Sequence, residues 1–343
     1  MTESRLLRTI RNKNVVFITV KNRDYIRVSQ IERILKDNAK AFRIYSSEKG
    51  NPLTRAIDLN LRLGKMDFQD ADVVILGFLP QLIFSGVMKR LKLNAFNEKG
   101  KPVIISEFFL SLYDTIVLDR KLIPVNFPLA RWLKRLDKRA LENSDLIVTD
   151  TGADADYFSR IYDVSVEKME VLYLEADKSI YGRKADGTNE SSFKSMSALY
   201  FGTGLPLQGT DVVLRAFSYV AKERPDFKCI FIGSLKGVPQ ELKDTARSFS
   251  NIEIIDWLPQ NELADRIRDS GLCLAGHFNP DIDKANRTIP GKAYIYEAMG
   301  KPMILGDTKA NHELFKEDER HCFVPRGDAR KLAECIVKWA YHS

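Results

Sequence analysis

Three cations, Lys284, Arg287 and Lys292, flank Pro290-Gly291 in the segment DIDKANRTIPGKAYIYEAMGKPMILGDTKANHEL, just ahead of a helix-forming run. A helix N-terminus favours an anion through its free N–H groups and its dipole. Cations added at such a terminus suit a diphosphate. Pro290 and Gly291 fit a tight entry into that helix, and Asn286 lies between two of the cations. Glu297, five residues past Lys292, offers a carboxylate to a ribose diol, or else forms a surface pair with a nearby cation.

A second stretch, YFGTGLPLQGTD (Tyr200–Asp211), places Gly202, Gly204 and Gly209 between an apolar run and the helix-like VVLRAFSYVAKE. Such a turn lets backbone N–H groups approach a phosphate. Two familiar loops do not fit. The dinucleotide fingerprint has Leu207 where its third glycine belongs, and the P-loop spacing of Gly204 and Gly209 is followed by Thr210 instead of lysine. Taken alone, the stretch is equally a tight turn without a ligand.

Other candidates are scattered. His277, in LAGHF at a strand end, faces a ligand or packs. In the first half Glu107 and Asp114 are candidate bases. Arg120 can bind an acceptor phosphate or pin Asp114, and Asp150-Thr151 can line a site or cap the next helix. Asp154–Asp156 and Asp281–Asp283 have the Asp-x-Asp spacing of a metal site, but the first pair opens a helix, where acids are common.

The chain of 343 residues is long enough for two domains with full cores. Its 44% apolar and 29% charged residues are those of a globular protein. The four cysteines show no Cys-x-x-Cys pair, which reads as buried thiols in a reducing cytoplasm. The basic N-terminus lacks the apolar core of a signal peptide, and no apolar run is long enough to span a bilayer. A cytoplasmic location is expected. The net charge of +7 is uneven: residues 1–141 hold 27 Lys/Arg against 14 Asp/Glu, and residues 142–175 hold 2 against 9. A basic first half suits phosphates or an anionic membrane surface. Nucleic acid is not expected, since no helix-turn-helix, zinc finger or aromatic RNA-binding signature is present.

Strand-like runs such as NVVFITV, DVVIL and LIVTD alternate with amphipathic helical runs, which predicts doubly wound parallel sheets. The polar stretch 179–195 interrupts the alternation and reads as a linker. The expected division is 1–178, an N-terminal α/β domain; 179–195, the linker; 196–326, a C-terminal α/β domain; and 327–343, a final helix able to cross back to the first domain.

Glu297-Ala298-Met299-Gly300-Lys301-Pro302 resembles, with two residues fewer, the end of the Glu-x7-Glu motif of retaining GT-B glycosyltransferases (glycosyl transferases group 1, family 4-like). WLPQNELADRIRDSGLCLA, YFGTGLPLQGTDVVLRAF and NSDLIVTDTGADADYF are similar to other elements of that family, in the same order. The resemblance implies an α/β protein of GT-B fold, two Rossmann-like domains facing each other across a cleft, with 1–178 the N-terminal acceptor-binding domain and 196–326 the C-terminal nucleotide-sugar-binding domain. It implies a metal-independent, hexosyltransferase-like enzyme that needs no cofactor and takes a nucleotide sugar as donor, with retention. Donor-binding residues would be Gly202, Thr203, Gly204, Gln208, Gly209, Gly233, Leu258, His277, Lys284, Asn286, Pro290 and Glu297. Catalytic ones would be Glu107, Asp114, Arg287 and Lys292, with Arg120, Asp150 and Thr151 on the acceptor side. Two departures stand out. Ile289 occupies the first glutamate position, and Thr203 and Gln208 replace the usual Arg and Lys of the opening loop. Arg287 and Lys292 would make up that lost charge.

The acceptor is expected to be a saccharide or a lipid-linked saccharide used in surface polysaccharide or glycoconjugate synthesis. PLARWLKRLDKRAL (Pro128–Leu141) and FSGVMKRLKLNAF (Phe84–Phe96) are basic and amphipathic, as an interfacial helix at the inner face of a membrane would be, or as core helices with basic outer faces would be. A non-catalytic nucleotide-sugar-binding relative and a sugar-nucleotide epimerase are the alternatives.

Overall fold

The computed structural model describes residues 4–93, 100–183 and 195–342. Chain contacts divide it into two units, residues 1–174 and 175–343.

In the first unit the strands are β1 (Asn14–Thr19), β2 (Ala41–Tyr45), β3 (Val73–Gly77), β4 (Val103–Glu107), β5 (Leu146–Thr149) and β6 (Met169–Val171). They form one parallel sheet in the order β2-β1-β3-β4-β5-β6. Helices α1 (Arg5–Ile10), α2 (Ile26–Asn38), α3 (Pro52–Arg62), α4 (Phe84–Leu93), α5 (Pro128–Glu142) and α6 (Gly152–Tyr162) flank it. All five residues of β3 are buried, as a central strand covered on both faces requires. The end of the Phe84–Phe96 segment, residues 94–96, lies outside the described residues.

The second unit opens with α7 (Lys178–Tyr181), then β7 (Ser197–Gly202), α8 (Thr210–Glu223), β8 (Lys228–Gly233), α9 (Gln240–Arg247), β9 (Ile252–Ile255), α10 (Gln260–Asp269) and β10 (Leu272–Gly276). It closes with α11 (Lys284–Arg287), α12 (Gly291–Ala298), β11 (Met303–Gly306), α13 (Lys309–Leu314), β12 (His321–Val324) and α14 (Ala329–His342). The sheet order is β12-β11-β10-β7-β8-β9, all parallel. The order reverses direction between β7 and β10. Open α/β sheets bind ligands at such a switch point, beyond the strands' carboxyl ends.

One boundary differs from expectation. The expected linker 179–195 begins inside α7, which packs on α10 and α12 of the second unit; residues 184–194 lie outside the described residues. Within the second unit α14 lies along α8, with Leu332, Ala333, Ile336, Val337 and Ala340 buried in that unit's core.

Candidate functional site

The loops after β7 and β10, at the switch point, are bound to each other. Phe278 N–H donates to the Gln208 carbonyl at 3.3 Å and Asn279 N–H to that of Leu207 at 3.4 Å. Gly209 stands at φ +66° against this neighbour, and a Cβ there would come within 2.7 Å of Asn279 N and the Phe278 carbonyl carbon. That glycine is required by the close approach of two backbones. Gly204 also has a positive φ, +72°. Its N–H donates to Gln208 Oε1 at 3.1 Å, so this donor, expected for a phosphate, is taken by the loop itself. Gln208 therefore folds the loop and keeps only its NH2 group for a ligand. Gly202 and Gly233 are paired strand ends, with no room for a side chain between them, and Thr203 is exposed.

Against this loop lies Lys292, in the first turn of α12. It is 6% exposed. Its Nζ is 3.7 Å from the Tyr200 ring centroid and 3.2 Å from where a Gly202 Cβ would stand. Among the described residues no carboxylate pairs with it, and burial holds its pKa well below the ordinary lysine value. His277 follows β10 and is buried, with Nδ1 lacking a hydrogen-bond partner among the described residues. Burial, then Lys292, Lys284 and Arg326, push it down to about 3. Lys292 and His277 are thus buried with the cations Lys284 and Arg326 near His277. Burying a charge without a partner is costly unless a ligand supplies the counter-charge.

Arg287 is 5% exposed and donates from Nε to Asp283 Oδ2 at 2.9 Å, so part of its charge is already balanced. Its short helix α11 packs on the turn Pro206–Gln208 and on α13. Pro290 is the N-cap of α12, in extended conformation. Asn286 was expected at the donor; its Oδ1 instead accepts from Lys309 N–H at 3.1 Å and ties α11 to α13. Leu258 follows β9, an edge strand separated from β7 by β8.

Glu297, expected at a ribose, lies at the far end of α12 from Lys292. Its carboxylate accepts from His321 Nε2 at 3.0 Å and Arg320 Nη2 at 3.4 Å, at the start of β12. Five residues along a helix carry a side chain about 7.5 Å onward and about 140° around from Lys292. The two therefore serve opposite ends of α12. Sequence reasoning also missed Arg326, which donates to the carbonyls of Asn279 and Ile282 at 3.0 and 3.1 Å and bears on His277.

In the first unit Glu107 ends β4 and Asp150 follows β5. Both meet a residue the sequence did not single out, Arg27 of α2, which is 1% exposed. Arg27 pairs with Asp150, donates to the Leu172 carbonyl at 2.5 Å and to Gln30 Oε1 at 3.0 Å, and brings Nε within 4.0 Å of Glu107 Oε1. Burial pushes Glu107 up to about 8; Arg27 draws it down and Asp150 pushes it further up. Arg27 and Gln30 share the buried helix face of Ile31, a periodic signal that could have found them.

Asp114 and Thr151 each hold contacts within the first unit. Asp114 is buried and accepts from Tyr157 Oη at 3.1 Å. Beside it Asp137 of α5 accepts from Ser111 Oγ, Leu112 N–H, Tyr113 N–H and Tyr162 Oη, at 2.7 to 3.1 Å. This network holds the π-helical turn Asp114–Asp119, after which Arg120 is exposed. Thr151 is the N-cap of α6 and accepts from Asp154 N–H.

Comparison with known proteins bears on the second unit first. Residues 197–341 match the family model of glycosyl transferases group 1. A D-inositol 3-phosphate glycosyltransferase of Corynebacterium kroppenstedtii is 24% identical over 159 residues, 42% of this chain. The match spans about a third (35%) of that relative's length. Among solved structures, a sucrose-phosphate synthase from Thermosynechococcus elongatus has a TM-score of 0.66 at 11% identity, over 96% of this chain and 91% of its own. Anabaena HepE, solved with UDP, has a TM-score of 0.62 at 12% identity, over 95% and 89%. The likeness to the solved structures shows a shared fold, and the family match covers residues 197–341, less than half of the chain.

Proposed function

We propose that this chain transfers a sugar from a nucleoside-diphosphate sugar to a hydroxyl of a saccharide or lipid-linked saccharide, with retention. The observation that carries this reading is Lys292. It is a buried cation with no carboxylate partner among the described residues, set against the glycine loop at the sheet's switch point. A diphosphate there would supply the counter-charge that the fold omits.

The chemistry follows from that placement. As the bond from the anomeric carbon to the phosphate breaks, negative charge gathers on the diphosphate. Lys292, with Arg287, Lys284 and Arg326 around it, stabilises that charge in a water-poor setting. His277 stays neutral and is free to donate a hydrogen bond from either ring nitrogen. With retention, the departing phosphate oxygen takes the acceptor proton, so no enzyme base is demanded. The first unit is the acceptor-binding one in this reading, with Glu107 and Asp150 held by Arg27 as its polar centre.

The acceptor reading draws support from the surface of the first unit. Leu118, Leu122, Val125, Phe127, Leu129 and Trp132 are exposed, among the cations Lys121, Arg131 and Arg135. Such a surface suits an anionic membrane carrying a lipid-linked saccharide. Among the described residues no helix is long and apolar enough to cross a membrane.

The test is thermal-shift screening of the full chain against nucleoside diphosphates and their sugars, beginning with UDP-sugars. The best ligand is then tried for transfer to lipid-linked and free saccharides. A ligand bound only by the native state raises its melting temperature. If no diphosphate shifts the melting temperature, the donor reading is wrong. A shift without transfer or release of nucleotide favours a non-catalytic binder.

A further inference from the structure

We propose that Lys21 marks a subsite of the first unit for an anionic group, a phosphate or a carboxylate, carried by the acceptor saccharide. The inference rests on the reading of this unit as the acceptor-binding one.

The first sheet has its own switch point. Its strand order reverses between β1 and β3, so the loops after those two strands bound the place where an open sheet takes a ligand. Lys21 is the second residue after β1, and Phe78 the first after β3. Lys21 Nζ lies 5.1 Å from the centroid of the Tyr25 ring and 5.4 Å from that of Phe78. Tyr25, Phe78 and Phe109 stand edge to face in a row, with centroids 5.4 and 5.6 Å apart. At the far end Arg27 Cζ is 5.9 Å from the Phe109 centroid. The row of rings thus carries a cation at each end.

The two cations differ in their partners. Arg27 is paired with Asp150, and Glu107 lies 4.0 Å away. Lys21 is half-buried, and among the described residues no carboxylate pairs with it. Of the acids that follow it in sequence, Asp24 accepts from Asn22 Nδ2, and Glu32 pairs with Arg23 and Lys36. The two rings attract the ammonium weakly and hold it at the switch point. They take none of its three N–H donors.

Two further features mark this place as a ligand site. Phe78 and Leu79 both have positive φ, +40° and +62°, a costly backbone for residues other than glycine and one that gathers at binding sites. Glu107, 1% exposed, has no well-formed hydrogen bond to either carboxyl oxygen among the described residues, although the Phe78 backbone bears on it. Its Oε2 lies 2.6 Å from where a Gly77 Cβ would stand, at the end of β3. A saccharide hydroxyl at the switch point can give this carboxyl the hydrogen bond it lacks. An oxyanion on the same saccharide meets Lys21 through charge-assisted hydrogen bonds, roughly twice as strong as neutral ones. The phosphate that joins a saccharide to a lipid and the carboxylate of an acidic sugar share this chemistry.

The test is saturation-transfer NMR on the folded full chain, with excess UDP present to fill the site of the second unit. The probes are glucose 1-phosphate, glucuronate and methyl glucoside, with inorganic phosphate as competitor. We expect transfer to at least one anionic sugar and none to methyl glucoside at the same concentration. Glucose 1-phosphate alone would identify a linking phosphate, and glucuronate alone an acidic sugar. Lys21→Met should weaken the binding at least about tenfold, Lys21→Arg should retain it, and Lys292→Met should leave it unchanged. Melting curves check that the variants fold, and the contrast among the probes on the wild type stands without them. No transfer to either anionic sugar, equal transfer to methyl glucoside, displacement by equimolar inorganic phosphate or unchanged binding in Lys21→Met would each overturn the proposal. Absence of transfer to UDP would count against the donor reading alone and leave the Lys21 result intact.

Discussion

The Lys292 ammonium stands 3.7 Å from the centroid of the Tyr200 ring, and both residues are buried. The ring face offers a cation some attraction, but far less than the water it has lost. Replacing Lys292 with Met keeps the volume and removes the charge. Turnover should fall by about 10²- to 10³-fold, the usual loss for one donor to a developing anion. The melting temperature of the unliganded chain should hold or rise. A joint fall of turnover and melting temperature would mean that Lys292 is a structural residue.

Donor binding should take up a proton in the pH window between the depressed pKa of Lys292 and its ordinary value of 10.5, where the empty chain holds this amine neutral. Burial depresses Lys292 below its ordinary value of 10.5, so the folded, empty chain binds fewer protons than the unfolded one. Its contribution to stability then rises with pH up to that ordinary value. A bound diphosphate adds negative charge and draws the pKa back up. Calorimetry in buffers of different ionisation enthalpy should show net uptake in the wild type and none in Lys292→Met. Equal uptake in both would move the effect to His277.

Glu297→Gln should leave donor affinity within about twofold, because the carboxylate belongs to His321 and Arg320. Its effect should be on stability. The pair lowers Glu297 from 4.5 and raises His321 from 6.5. The His321 part is full below 6.5 and fades as pH rises through the raised value. The Glu297 part is lost as pH falls through its lowered value. A destabilisation of about 0.5–1 kcal/mol, greatest between pH 4.5 and 6.5, is expected for a pair whose carboxylate is partly exposed to solvent. A tenfold loss of donor affinity would restore the ribose assignment.

That residue also shows how far the sequence could be read. The central strands β1, β3, β5 and β10 are apolar runs, legible because both of their faces are buried. The edge strands β2 (AFRIY) and β12 (HCFV) were missed, being short and half-exposed. The place of Lys292 at a helix entry was legible. For Glu297 the helix was legible but not its pairing with His321 and Arg320, which only the fold brings near. Arg27 was not legible as a site residue, since guanidinium groups are rarely fully buried. Only the fold brings α2 to the ends of β4 and β5.

Glu107→Gln should stabilise the protein in alkaline solution. Burial lifts the Glu107 pKa from 4.5 to about 8. Between those values the folded chain holds a proton that the unfolded chain has lost, so stability falls as pH rises across that window. Glutamine removes the dependence. The gain in melting temperature should be near zero at pH 4.5 and reach several degrees above pH 8. Should the variant melt lower at alkaline pH, the attraction between Arg27 and an ionised Glu107 would outweigh burial, and the carboxylate would be charged throughout.

Binding to membranes should depend on Leu122 and Phe127, exposed by 68% and 55% on the chain leading into α5. The nearby cations Lys121, Arg131 and Arg135 would draw this surface to anionic headgroups, and the side chains would then enter the interface. Vesicles of mixed phosphatidylglycerol and phosphatidylcholine should sediment the protein, and pure phosphatidylcholine should not. High salt should weaken the association, because exposed charges are screened. Each large apolar side chain buried is worth about 1.5–3 kcal/mol. Changing both Leu122 and Phe127 to Ser should therefore lower the partition coefficient at least about tenfold, with the melting temperature unchanged. Undiminished binding by that variant, or equal binding to neutral vesicles, would remove this surface from the acceptor reading and leave the donor site of the second unit untouched.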